Sequence, residues 1–198
     1  MSPSGQEREG VRNPVDRRIS RTRKSIDAAF LALLQRRGYD GVGVSDIVRD
    51  ADVGRATFYE HYTSKDDLLR AQLRHVSSSL VRVVRDQADL PDVTPLFLHV
   101  RDVPVLYRLV AGRSAGARPL RILQEVLEER AAAILAERLK SGASLCAPLT
   151  PPVASRLIVA NLLALLAWWT ESGMKETAGE MQALFHSCVG WMVLKTGP

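Results

Sequence analysis

Cysteine is nearly absent from the 198 residues. Cys146 and Cys188 are the two, far apart in sequence, which excludes a disulfide framework or a zinc site and fits a reducing compartment. Long apolar runs are missing too. The longest, Leu157 to Trp169, is 13 residues interrupted by Asn161, short of the ~20 needed to span a bilayer. The start of the chain is polar and Arg-rich, without the apolar core of a secretory signal, so a cytoplasmic location is expected. There is no phosphate-binding glycine loop, no G-x-S-x-G elbow and no metal-ligand cluster. His75, His99 and His186 each lack a neighbouring nucleophile in a recognisable context. No catalytic residue, cofactor or metal is therefore expected. Internal repeats, low-complexity blocks and strand-like alternation are absent as well.

What remains is ordinary globular material with a basic bias. Apolar residues make up 46% and charged residues 25%, enough for a real core. The formal net charge is +5 and the sequence pI about 9.6. Its placement carries more information than its size. From Met1 to Lys24, seven cations (Arg8, Arg12, Arg17, Arg18, Arg21, Arg23, Lys24) stand against three acids (Glu7, Glu9, Asp16). Residues 1–19, with Pro3, Gly5, Gly10 and Pro14, read as a disordered basic tail.

A helical pattern follows. Ile26, Ala29, Phe30, Leu33 and Leu34 make one apolar stripe, with Thr22 as an expected N-cap and Gly38 as a terminator behind Arg36-Arg37. Two short helices are expected next, about Val44–Ala51 and Arg55–Tyr62, joined by Asp52-Val53-Gly54. Ile47, Val48 and Ala51 face inward on the first, Phe58 and Tyr62 on the second. Ser64 then caps a long helix with Asp66 and Asp67 in its first turn, where negative charge suits the helix dipole. The dipole explains that acidic pair better than a metal does, since no third ligand is near. The long helix keeps its stripe through Leu69, Leu73, Val76, Leu80 and Val84. Beyond Leu90-Pro91-Asp92, helical segments of roughly 94–101, 103–112, 117–141, 152–172 and 177–194 are expected.

Two short helices joined by a three-residue turn can set one helix into a major groove about 12 Å wide while the other crosses the backbone. The outer face of the second offers Arg55, Thr57, Tyr59 and His61 as hydrogen-bond donors. The residues sharpen this. Ala51, Val53, Thr57-Phe58-Tyr59, His61-Tyr62, Lys65 and Leu68-Leu69 resemble, in register, the N-terminal domain of TetR/AcrR-family transcriptional regulators, over about 50 residues from near Thr22. The resemblance implies phosphate contacts for Thr22, Arg23 and Lys24, and a base or phosphate contact for Ser45. It implies base-edge contacts for Arg55 and Thr57, with Arg55 bidentate to a guanine. Tyr59, His61 and Lys65 would meet phosphates. Gly43 and Gly54 stand where many members carry a Ser or Thr cap, and Ala56 where Gly is frequent; its methyl could meet a thymine methyl.

The resemblance also implies an all-α chain with an N-terminal three-helix helix-turn-helix domain (20–66) and a C-terminal helical ligand-binding and dimerisation domain (67–198). The last two helices are rich in apolar residues, and the family pairs such helices with their mates as a four-helix bundle. Leu162, Leu166, Met181, Leu184, Phe185, Cys188 and Met192 are the expected dimer interface. Phe97, Leu106, Tyr107, Leu127, Trp168 and Trp169 could wall a ligand pocket, with His99 and Asn161 among its polar groups. The function implied is a homodimeric, sequence-specific DNA-binding regulator, a repressor released from a palindromic operator of double-stranded DNA by a small, largely apolar effector. The rival reading is a helical protein–protein adaptor without operator binding.

Overall fold

The computed structural model describes residues 14–80, 91–104, 107–108 and 116–194. Among them the architecture is helical: α1 (Pro14–Arg37), α2 (Val44–Asp50), α3 (Arg55–His61), α4 (Lys65–Leu80), α5 (Thr94–Asp102), α6 (Ala117–Lys140), α7 (Pro151–Glu171) and α8 (Ala178–Val189). Helix α1 begins on Pro14, so Thr22 lies in its third turn and is not its N-cap, and residues 14–19 belong to the helix rather than to a tail. Proline suits a first helical position, because its φ is already fixed and its missing N–H is not needed there. The helix ends as expected. Gly38 takes φ 67° and donates its N–H to the Leu34 carbonyl at 2.9 Å. The tail residues 1–13, Val84 and Leu106 lie outside the described residues.

The expected last helix, 177–194, ends at Val189. A 3-10 turn, Gly190–Met192, follows, and then a two-residue strand β2 (Val193–Leu194) pairs antiparallel with β1 (Ser144–Leu145). Strands this short show no alternation in sequence. Their effect is to tie the chain after α8 to the loop between α6 and α7.

Two cores form. The first encloses Ile26, Phe30, Leu33, Leu34, Ile47, Phe58, Tyr62, Leu68 and Leu69, together with Ile122 from α6. The second encloses residues of α5 to α8, with Phe97 edge-on to Trp169 at 5.5 Å between ring centres. Helix α4 belongs to both: Leu68 and Leu69 sit in the first core, and Leu73 packs against both. No linker separates the regions at residue 66; one continuous helix crosses the boundary. Helix α7 is long and apolar enough by length and composition to cross a bilayer, but here it packs on α6 and α8, as an apolar helix buried on several sides must.

Gln182 of α8 replaces the side-chain cap that α5 lacks. Its carbonyl oxygen accepts from the Val93 and Thr94 N–H groups, both at 2.9 Å, and from the Thr94 hydroxyl at 2.7 Å. The orphan donors of a helix start are thereby satisfied from a neighbouring element.

Candidate nucleic-acid interface

The first core presents α3 with Phe58 and Tyr62 inward and Arg55, Ala56 and Tyr59 outward, Tyr59 being 50% exposed. Thr57 and His61 are half-buried at the edges of that face. The turn before α3 is tight. Asp52, not a glycine, takes the left-handed conformation, at φ 53°, whereas Gly54 is extended at φ −70° and serves as the N-cap. A Cβ on Gly54 would sit 3.7 Å from the Thr57 hydroxyl oxygen, an ordinary contact, so space does not demand glycine there. At the start of α2, Asp46 accepts the Gly43 N–H at 3.1 Å, one half of a capping box; the other half, a side-chain oxygen accepting the Asp46 N–H, would need a Ser or Thr at position 43. Ser45 is exposed beside it.

Polar chains hold α1 to the rest of this unit. The Tyr62 hydroxyl donates to Asp27 at 2.7 Å and accepts from Arg23 Nε at 3.0 Å, with the guanidinium also over the tyrosine ring. Burial, then the hydrogen bond to Asp27, pushes the Tyr62 hydroxyl up to about 12, against the pull of Arg23. Arg23, expected on phosphate, is thus engaged through one of its five donors and anchors α1 beside the end of α3. Lys24 is exposed, and Thr22 is half-buried on the same helix.

Lys65 departs from expectation more sharply. Its ammonium donates to the carbonyls of Tyr39 and Val42, both at 2.8 Å, and lies 4.1 Å from the Tyr39 ring centre. It clamps the α1–α2 loop to the start of α4, and desolvation lowers its pKa. Two of its three donors are occupied. Next to it, Asp66 accepts from the Tyr39 hydroxyl and pairs with Arg118 at the start of α6. Burial raises the Asp66 carboxyl, but Tyr39 and Arg118 draw it down further, leaving it below the usual carboxylate range. Ser64 caps α4 as expected, accepting the Asp67 N–H at 3.1 Å. Nothing in the spacing of Tyr39, Asp66 and Arg118 could have announced their meeting, because Arg118 arrives from 52 residues downstream.

The charge pattern separates two sets of cations. Arg36 pairs with Asp50, Arg37 and Arg49 with Asp46, Arg70 with Glu125 and Arg74 with Glu129. Among the described residues, Arg17, Arg18, Arg21, Lys24 and Arg55 have no ion pair, and all five are exposed. Positive charge is therefore left open along the N-terminal half of α1 and at the start of α3.

The expected sensor residues divide. His99 and Tyr107 line a cavity of about 200 Å3 bounded by α1, α4, α5 and α6. Leu127 lines a smaller one of about 60 Å3 between α6, α7 and α8. Phe97 and Trp169 are core, with the Trp169 indole N–H donating to the Glu176 carbonyl at 3.1 Å. Asn161 donates back to the Leu157 carbonyl at 2.8 Å, and Trp168 is 47% exposed; neither lines either of these two cavities.

The expected dimer residues need correction. Leu162, Leu166, Met181, Phe185 and Met192 are buried in the protomer's own second core and present no surface. Leu184 is 41% exposed and Cys188 half-buried. The outward apolar face consists instead of Val153, Leu157, Ala160, Ala164 and Trp168 on α7, with Leu184, Cys188 and Trp191 beside α8. On helices apolar nearly all round, sequence could not tell the inward stripe from the outward one.

Comparison with known proteins bears on residues 26–71, which match the family model for bacterial regulatory proteins of the tetR family. The chain is 38% identical over 68 residues to the HTH-type transcriptional regulator YxbF of Bacillus subtilis, covering 34% of this chain and 18% of that protein. It is 35% identical over 98 residues to the HTH-type transcriptional repressor LfrR of Mycolicibacterium smegmatis, covering 40% and 50%. The chain thus spans half or less of these curated relatives. A TetR transcriptional regulator from Streptococcus agalactiae has the same fold, with a TM-score of 0.62 at 24% identity over 88% of this chain and 97% of that one.

Proposed function

Because the chain belongs to the TetR family of bacterial regulatory proteins, we propose that it is a regulator, not an enzyme, and acts as a homodimeric, sequence-specific DNA-binding repressor in the cytoplasm. The observation that carries this is the open positive charge on α1 and α3. Asp46 and Asp50 are matched to Arg36, Arg37 and Arg49, and Asp52 and Glu60 stay exposed and unpaired, as does Arg55 at the first position of α3 among the described residues. Unneutralised cations beside a helix of groove-filling size are what phosphate binding and counterion release require.

The roles follow from position. Arg55 and Thr57 read base edges, Ala56 lies close enough for a methyl contact, and Tyr59, His61, Ser45, Thr22 and Lys24 meet the backbone. Arg23 and Lys65 hold the frame on which those residues sit, and each keeps donors for a phosphate. A single α3 reads few base pairs, so two copies related by a two-fold axis read a palindrome. The exposed face of α7 and α8 supplies the pairing surface. A small, largely apolar effector releases the operator.

The test is a binding titration on duplex DNA at several salt concentrations. Arg55→Ala is expected to cost roughly 1–3 kcal/mol and relax specificity at one operator position. Unchanged specificity would remove Arg55 from base reading.

A further inference from the structure

Resting on the reading of a ligand-responsive regulator, we propose that the effector site is the cavity at the seam between the two cores, and that it takes a compact, uncharged, single-ring molecule bearing one hydrogen-bonding group. Leu34 of α1 belongs to the first core, Tyr107 to the second, and Leu73 of α4 packs against both; all three line the same cavity of about 200 Å3. A space at this seam touches the helix that carries Lys24 and the helix that follows α3. The smaller cavity between α6, α7 and α8 reaches neither.

The lining specifies the ligand. Among the described residues it contains no Asp, Glu, Lys or Arg, so a charged ligand would lose its hydration without a partner there. Most of the wall is aliphatic. Four polar side chains, Gln35, Gln72, His99 and Tyr107, also line it, and none makes a side-chain hydrogen bond among the described residues. Tyr107 matters most: it is 8% exposed, with its ring edge-on to His99 at 5.8 Å. Its hydroxyl has no protein partner among the described residues and is not one of their sealed unpartnered atoms, so it stays open to a ligand in the cavity that Tyr107 lines. A cavity of roughly 150 Å3 accommodates benzene, so about 200 Å3 admits a ring with one small substituent.

Occupancy would act on DNA by geometry. A molecule wedged between α1 and α4 on one side and α5 and α6 on the other sets the angle at which the first core meets the second. Only a ligand that favours one such arrangement can shift the equilibrium.

Calorimetric titration of the full chain with phenol, toluene and benzoate tests the site without DNA, so its outcome stands apart from the DNA-binding reading. Phenol is expected to bind at one per chain and benzoate at least about tenfold more weakly. Tyr107→Phe keeps the cavity's shape and should weaken phenol by about fivefold, the worth of one neutral hydrogen bond, while leaving toluene unchanged. Val103→Phe, which fills the space, should abolish both. Absence of phenol binding to the wild-type chain, or binding that Tyr107→Phe leaves unaltered, overturns the site. Bound phenol should also weaken DNA binding by the same factor by which DNA weakens phenol. Phenol binding that leaves DNA affinity unchanged overturns the effector role.

Discussion

Lys65 illustrates how a residue type can be right and its first duty unforeseen. The register of the motif placed a lysine at the start of α4 and implied a phosphate. Its ammonium instead holds two loop carbonyls at 2.8 Å. The consequence is measurable. Lys65→Ala should lower the free energy of unfolding by about 1–3 kcal/mol, because it leaves two carbonyls without their partner. A variant as stable as wild type in urea denaturation would return Lys65 to a purely DNA-facing role. Asp52 teaches a related lesson. Sequence placed three residues in the turn but could not say which adopts positive φ; aspartate tolerates that conformation through its short polar side chain, and it does so here while Gly54 does not. Tyr62 was legible as core by its spacing from Phe58. Its hydroxyl bonds to Asp27 and Arg23, 35 and 39 residues away, were not, because no periodicity links them.

At the scale of elements, helices α1 to α4 were readable in advance. Apolar residues recur at helical spacing, and Gly38, Ser64 and the Asp52–Gly54 turn mark their ends. The start of α1 was not, since Pro14 among glycines and charges resembles tail composition as much as a helix start. The join between α4 and α6 was also hidden. It is built from Arg118–Asp66, Arg70–Glu125 at 2.5 Å and Arg74–Glu129 at 3.0 Å. Most of these side chains are too exposed for a large contribution each, but Asp66 is also held by Tyr39. Its pKa is lower folded than the ~3.9 of an unfolded aspartate, so its contribution is fully present above that value and is lost as pH falls through the folded one. Unfolding free energy measured from pH 6 to pH 2 should therefore fall less steeply in Asp66→Asn than in wild type, and Asp66→Asn should be the less stable of the two at pH 6. Parallel curves would show that the carboxylate contributes no linkage.

For the whole molecule, sequence supplied the all-α class and the presence of an apolar surface near the C-terminus; it placed Leu184 and Cys188 on that surface but also Leu162, Leu166, Met181, Phe185 and Met192, which face the protomer's own core. The corrected face carries Trp168, Leu184 and Trp191 at 47%, 41% and 55% exposure, a concentration of large apolar side chains that single copies of soluble proteins seldom leave open. Leu184→Glu and Trp168→Glu should each give monomers in sedimentation velocity with the helical content unchanged, because neither side chain belongs to the protomer's core. A persistent dimer in both variants would place the interface elsewhere. With each copy holding one half-site, as proposed, loss of the pairing should also weaken operator binding far more than loss of any single base contact.

The operator-binding consequences rest on the proposal that α3 reads DNA from two copies at once. The most direct measurement is selection of bound sequences from a random duplex library with the purified full-length protein. The expected result is an enriched palindrome whose half-site centres lie about one helical turn apart, or a multiple of it, with enrichment lost in Arg55→Ala. Recovery of unenriched, random sequence at low salt, with the wild-type protein folded and dimeric, would contradict the central claim.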